Sequence, residues 1–181
     1  MDEGDVPYVY LDVNVILDVI RGRRNEASFM LMEKIRNSEI VGCTSAFSFL
    51  ELIDKEQEYS LVWRRIRDGY SFDEILRERS NRNLREEDLI DAVEKVDRVF
   101  AKPYKKYIDF YYLEDEGWDK AVELMQIVNL TSEDAIHLAS AFMAGCHLLV
   151  TNDQHFLKNA QKVMPASLPK DVEDNLKKLG F

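Results

Sequence analysis

Pro7-Tyr8-Val9-Tyr10-Leu11-Asp12-Val13-Asn14 is the stretch whose reading decides the fold. Its apolar run reads as a buried strand, and it stops at Asp12-Val13-Asn14. Val15, Ile16, Val19 and Ile20 then recur at helical spacing, and Gly22 closes that element. A buried strand leading straight into a helix is half of a βαβ unit.

The alternation repeats outward from this point. A helix is predicted from about Glu26 to Arg36, with Phe29, Met32 and Ile35 on one face. Glu39 to Cys43 reads as a second strand, after which Thr44 and Ser45 stand as helix N-cap before Phe47, Leu50 and Ile53. From about Gln57 to Phe100 the chain is helical and highly charged, broken at Asn81-Arg82-Asn83 and ended by Pro103. Tyr107 to Tyr112 is strand-like, and Trp118 to Val128 helical. Thr131-Ser132-Glu133-Asp134 has the form of a capping box, opening a helix that buries Ala135, Leu138, Ala139 and Phe142 and ends near Gly145. His147 to Thr151 is a continuous apolar strand ending at Asn152-Asp153, followed by a weak strand near Val163 and a helix from Pro169. These units predict an α/β fold with a central, mostly parallel sheet flanked by helices on both faces. Residues 1–181 are expected to form one domain, with a helical insertion at about 57–102.

Composition limits the function. With 46% hydrophobic and 32% charged residues the chain is that of an ordinary globular protein, and no apolar run is long enough to span a bilayer. The acidic start Met1-Asp2-Glu3-Gly4-Asp5 is unlike a secretory leader, so a cytoplasmic location without a membrane partner is expected. Cys43 and Cys146 match no zinc or redox spacing and are read as buried thiols. A net charge of −10 runs against the basic face common in nucleic-acid binders. A carboxylate cluster neutralised by metal accounts for part of that acidity.

Four carboxylates suggest such a cluster. In parallel α/β sheets ligands bind beyond the carboxyl ends of the strands. Asp12 and Asp153 end strands, Glu51 lies about two turns into the helix after the second strand, and Asp134 falls in the first turn of its helix. Each has an ordinary reading: helix cap, capping-box member, surface glutamate or turn residue. Those readings leave unexplained why all four fall at one end of the sheet. Crowded carboxylates repel unless a hard cation such as Mg²⁺ or Mn²⁺ joins them, and one or two such ions activate water and steady charge on a phosphate.

Tyr10-Leu11-Asp12-Val13-Asn14-Val15-Ile16-Leu17-Asp18 resembles the first motif of PIN-domain nucleases, of the VapC-like ribonuclease kind. Ser45 with Glu51 is similar to the second motif, Asp134-Ala135-Ile136-His137-Leu138-Ala139-Ser140-Ala141 to the third, and Thr151-Asn152-Asp153-Gln154-His155-Phe156 to the fourth. All four occur in the family's order. The resemblance implies a three-layer α/β sandwich and Mg²⁺- or Mn²⁺-dependent cleavage of single-stranded RNA. It further implies the toxin role of a toxin–antitoxin pair, an antitoxin partner and a homodimer. By residue it carries over Asp12, Glu51, Asp134 and Asp153 as catalytic and metal-binding groups, and Asn14, Ser45, Thr151 and Asn152 as hydrogen-bonding groups that orient them.

Weaker candidates complete the reading. Arg21, Arg23 and Arg24 are RNA-contacting candidates, for single-stranded or structured RNA, because they follow the element that begins at Asp12. Arg64, Arg65, Arg67, Arg77, Arg79, Arg82 and Arg85 are read as solvated and paired with acids. Trp63, Tyr70 and Phe72 are read as core of the insertion in preference to base-stacking platforms, His137 as packing or hydrogen-bonded, and His155 as a loop residue. Asp18, six residues after Asp12, is expected to point aside. Two alternatives stand beside the nuclease: an inactive PIN-like module binding RNA or protein, and a phosphatase with an aspartyl nucleophile. The phosphatase lacks its general acid, because Asn14 occupies that place.

Overall fold

The computed structural model describes residues 6–22, 25–80 and 86–181. Five strands form one sheet in the order β3-β2-β1-β4-β5, and every pairing is parallel. They are β1 (Tyr8–Leu11), β2 (Val41–Ser45), β3 (Ile108–Tyr111), β4 (Leu148–Val150) and β5 (Ala166–Ser167). The chain steps from β1 to β2 to β3 in one direction, then returns to place β4 on the other side of β1. The direction therefore reverses between β1 and β4, and the crevice at their carboxyl ends is where such sheets bind ligands.

Helices cover both faces, giving three layers. Alternating side chains of the central strands divide the core: Val9, Leu11, Leu148 and Val150 face one side, Tyr10 and Leu149 the other. The first side is packed by α1 (Val13–Ile20), α2 (Glu26–Arg36), α3 (Ala46–Arg67) and α10 (Val172–Leu179). The second is packed by α7 (Asp115–Val128), α8 (Ser132–Met143) and α9 (Gln154–Ala160). The small residues Ala135, Ala139 and Ala141 let α8 lie close on the sheet. Gly145 takes φ +70 just after α8, a backbone region open to glycine and strained for most side chains.

The remaining helices are α4 (Phe72–Ser80), α5 (Glu86–Val96) and the short α6 (Lys102–Tyr104), joined to α5 by a π-helical turn at Asp97–Ala101. α3 runs unbroken from Ala46, so the helix begins well before residue 57. The break at Asn81-Arg82-Asn83 lies outside the described residues. The last strand is at Ala166–Ser167, slightly beyond Val163. Trp63, Tyr70 and Phe72 are exposed rather than buried. The buried contacts of α3 and α5 are made instead by Leu61, Ala92 and Val96. No helix among the described residues is long and apolar enough to cross a membrane.

Charged groups join the helices. Glu56 is buried on α3 and takes Arg21 at the end of α1 on one carboxylate oxygen and Lys95 of α5 on the other, the latter at 2.6 Å. Arg64 donates to both oxygens of Asp88 at 2.6 Å, Arg65 pairs with Glu78 and Arg79 with Glu58. Arg64, Arg65 and Arg79 are paired with acids as the sequence leads one to expect, but Arg64 and Arg65 are largely buried rather than solvated, and Arg82 and Arg85 lie outside the described residues.

Candidate active site

Asp12 ends β1 and caps α1, a place fixed by the abrupt change from extended to helical backbone. Its Oδ1 accepts the Val13 amide at 2.7 Å, and its Oδ2 accepts the Thr151 hydroxyl at 2.6 Å and the Asn14 amide group. Thr151 follows β4, so this bond crosses the crevice where the strand direction reverses. Thr151 Oγ1 also accepts from Asn14 Nδ2 and from the Asp153 backbone, both at 3.0 Å. The Asn14 carbonyl oxygen accepts the Asn152 backbone N–H at 2.7 Å. Thus Asp12, Asn14, Thr151 and Asn152 form one hydrogen-bonded unit.

Asp18 joins that unit from behind. It is buried on α1, and its Oδ2 accepts from Asn152 at 2.8 Å, Asn25 at 2.6 Å and Ser28 at 2.9 Å. Its six-residue offset from Asp12 points it away from the crevice, yet Asn152 reaches back to it. The expectation that Asp18 stands aside is corrected to this extent.

Glu51 lies in the second turn of α3, whose N-cap is Ser45 accepting from Phe47 N at 3.1 Å. Its Oε2 is 2.7 Å from Nε2 of His137, which is buried on α8. The other imidazole nitrogen, Nδ1, is 2.8 Å from the Tyr10 hydroxyl, which also accepts the Ser45 backbone N–H at 3.1 Å. Burial, then the charge of Asp12, pushes the Tyr10 phenol well above its ordinary range, so it stays neutral. Burial alone lowers the basicity of His137. The Glu51 hydrogen bond and the charges of Asp12, Glu51 and Asp134 outweigh it and hold the imidazole above its ordinary value.

Asp134 lies in the first turn of α8, where Thr131 Oγ1 accepts the Asp134 backbone N–H at 3.2 Å. Asp153 caps α9, accepting from His155 N at 2.7 Å and Phe156 N at 2.9 Å. His155 is therefore helical, not part of a loop. Burial raises the Asp12 carboxyl above the ordinary range, with Glu51 adding to the rise and His137 and Thr151 opposing it. Burial also raises Asp134, with the charge of Asp153 in the same direction. Each acid thus feels another across the crevice, Asp12 with Glu51 and Asp134 with Asp153. Among the described residues, however, no three His, Cys, Asp or Glu side chains lie together as a ready metal-holding group. Glu51 is turned to His137, and Asp153 Oδ1 is occupied as a helix cap.

Arg21 is committed elsewhere: its guanidinium meets Glu56, donates to the Lys55 carbonyl at 2.8 Å and lies 4.6 Å over the Tyr59 ring. Arg23 and Arg24 lie outside the described residues. The sequence reading did not assign Tyr10 and His137 to the site. The signal for His137 was its place three residues after Asp134 on α8; Tyr10, inside an apolar strand, gave none.

A three-layer parallel α/β sandwich with a switch point between β1 and β4 belongs to the class of open α/β folds that bind ligands at that edge. A family model described as PIN domain matches residues 9–162, and the chain belongs to the PIN-domain family, a family of nucleases. Solved structures show the same fold. One, described as FitAB bound to an IR36 DNA fragment, is 14% identical with a TM-score of 0.55, covering 90% of this chain and 95% of that one. A second, VapBC2 from Rickettsia felis bound to a DNA fragment from its promoter, is 12% identical with a TM-score of 0.53, covering 89% and 98%. A third, a toxin–antitoxin complex from Klebsiella pneumoniae, is 16% identical with a TM-score of 0.51, covering 89% and 97%. No curated protein sequence matches the chain.

Proposed function

We propose that this chain is a Mg²⁺- or Mn²⁺-dependent endoribonuclease that hydrolyses phosphodiester bonds of single-stranded RNA, and that it is the toxin of a toxin–antitoxin pair. The observation that carries the reading is the buried Asp12 carboxylate, held across the switch point by Thr151 while Glu51 lies within electrostatic reach. A buried acid kept near another acid is disfavoured without a cation, and its oxygen donors suit a hard one. Asp12, Glu51, Asp134 and Asp153 would hold one or two such ions. When bound, the metal supplies a Lewis acid and water that ionises near neutral pH.

The chain's own residues prepare that chemistry. Thr151 and Asn14 fix Asp12 Oδ2, and Asn14 in turn fixes the loop carrying Asn152 and Asp153. His137 holds Glu51 Oε2 and leaves Oε1 turned toward Lys55, 3.9 Å from its ammonium. Ser45 reaches the site through the Tyr10 hydroxyl. The antitoxin, the homodimer and the division into one domain with an insertion at about 57–102 belong to the same proposal. The likeness to the toxin–antitoxin complex from Klebsiella pneumoniae supports the first of these.

One observation favours a second reading, a PIN-like module that binds RNA or protein without cutting: among the described residues no three acids are gathered together. A single assay separates the two. Purified chain is incubated with end-labelled single-stranded RNA and Mn²⁺. Cleavage that EDTA, Asp12→Asn and Asp134→Asn each abolish supports the nuclease; intact RNA with folded protein supports the module.

A further inference from the structure

A cleft of about 630 Å³ opens on the carboxyl edge of the sheet, on the β3 side. Phe49 and Leu50 of α3 and Phe110 of β3 line it, together with Tyr112 just past the end of that strand. Lys102, Lys105 and Lys106 line it as well. Ser45 and Tyr111 are paired in register, so the cleft begins where β2 and β3 end. Phe49 and Leu50 directly precede Glu51 on α3, so the helix that lines the cleft also carries one of the candidate acids.

Three lysines meet around one cleft in a protein of net charge −10. Lys102 is 2.8 Å from Asp97, an exposed pair that a phosphate can displace, and Lys106 lies 4.6 Å over the Tyr107 ring. Tyr112 is 73% exposed, so packing does not account for its ring. Aromatic faces beside ammonium groups match a strand whose bases are unstacked and whose phosphates run alongside.

We propose that this cleft is a subsite for the single-stranded RNA substrate. Lys102, Lys105 and Lys106 contact phosphates, and Tyr112 with Phe49 stacks a base. The inference rests on the ribonuclease reading for the identity of its ligand. It also places a basic surface on α6 and its flank, where Arg21 is instead engaged by Glu56.

The test is the affinity of the full chain for fluorescein-labelled oligouridylate, read by anisotropy in EDTA, where hydrolysis is off. Joint replacement Lys102→Gln, Lys105→Gln, Lys106→Gln is expected to weaken binding and to reduce the salt slope by roughly 0.7 per lost phosphate contact. Tyr112→Ala is expected to weaken RNA binding about fivefold or more with the slope unchanged, and to leave inorganic polyphosphate binding unchanged. Affinities within about twofold of wild type for both variants overturn the inference, even where the wild type cuts RNA with Mn²⁺. Unchanged RNA affinity with loss of a bound protein partner overturns it in favour of protein docking. Binding through the cleft without any cleavage in Mn²⁺ supports the subsite and removes the nuclease reading instead.

Discussion

Thr151 Oγ1 lies 2.6 Å from Asp12 Oδ2, joining the carboxyl ends of β4 and β1 at the point where the sheet reverses direction. Both residues are buried, and the same hydroxyl oxygen accepts from Asn14 and from the Asp153 backbone. One side chain thereby ties the first and fourth motifs together.

Replacing Thr151 by Val keeps the shape and removes that hydroxyl. Asn14 Nδ2 and the Asp153 N–H lose an acceptor, and Asp12 loses a donor. The expected loss of stability is about 1–3 kcal/mol, measured by urea denaturation in EDTA. Mn²⁺ affinity, followed by calorimetry, is expected to fall roughly tenfold or more. Thr151→Ser restores the hydroxyl and is expected to recover most of both. A Val variant with wild-type Mn²⁺ affinity would remove Thr151 from the site.

The Tyr10 hydroxyl stands in the same relation to Glu51, acting through His137. Tyr10→Phe leaves the Ser45 N–H and His137 Nδ1 without their buried partner. The expected destabilisation is about 1–3 kcal/mol. Mn²⁺ affinity falls as well, because Glu51 loses its fixed imidazole. If denaturation shifts while Mn²⁺ affinity holds, the hydroxyl serves the core alone.

The places of the candidate residues on strands and helices are largely legible in the sequence. Asp12 and Asp153 announce themselves by ending apolar runs, and Thr131 and Ser45 by standing before helical periodicity. What the sequence hides is strand order. Tyr10 meets His137 over a separation of 127 residues and Glu51 meets it over 86, because α8 packs on the face of β1 that Tyr10 occupies. Local periodicity gives each strand its two faces but not its neighbours. The core reading of Trp63, Tyr70 and Phe72 fails for a related reason. Apolar composition suggests core, whereas exposure depends on which side of α3 and α4 meets a partner. Arg21 followed the active-site element closely in sequence, but the buried carboxylate of Glu56 holds its guanidinium.

That carboxylate gives a prediction of its own. Glu56 is 1% exposed and lies between Arg21 and Lys95, with Arg21 itself only 11% exposed. Glu56→Ala leaves Arg21 in a largely buried place with no counter-charge. A destabilisation of about 3–5 kcal/mol is expected by urea denaturation. Arg21→Met in the same background removes the stranded charge and is expected to recover part of the loss. No recovery would place the effect in lost packing.

The raised carboxyls predict how stability without metal depends on pH. Burial and Asp153 hold Asp134 above its ordinary value of 3.8, and burial with Glu51 does the same for Asp12. A folded state that binds the proton more tightly than the unfolded chain gains stability below the ordinary value and loses it as pH rises through the raised one. Asp134→Asn removes one such charge. In EDTA at neutral pH the variant is expected to melt above the wild type, and the gap should close as the pH falls toward 3.8 and the wild-type carboxyl protonates. Added Mn²⁺ should reverse the order, because the cation relieves in the wild type the repulsion that the variant removed. Melting curves with and without Mn²⁺ across that pH range decide it. A variant less stable than the wild type at neutral pH in EDTA would mean that Asp134 is held by attraction, and that the crevice does not crowd its acids in the way a metal site requires.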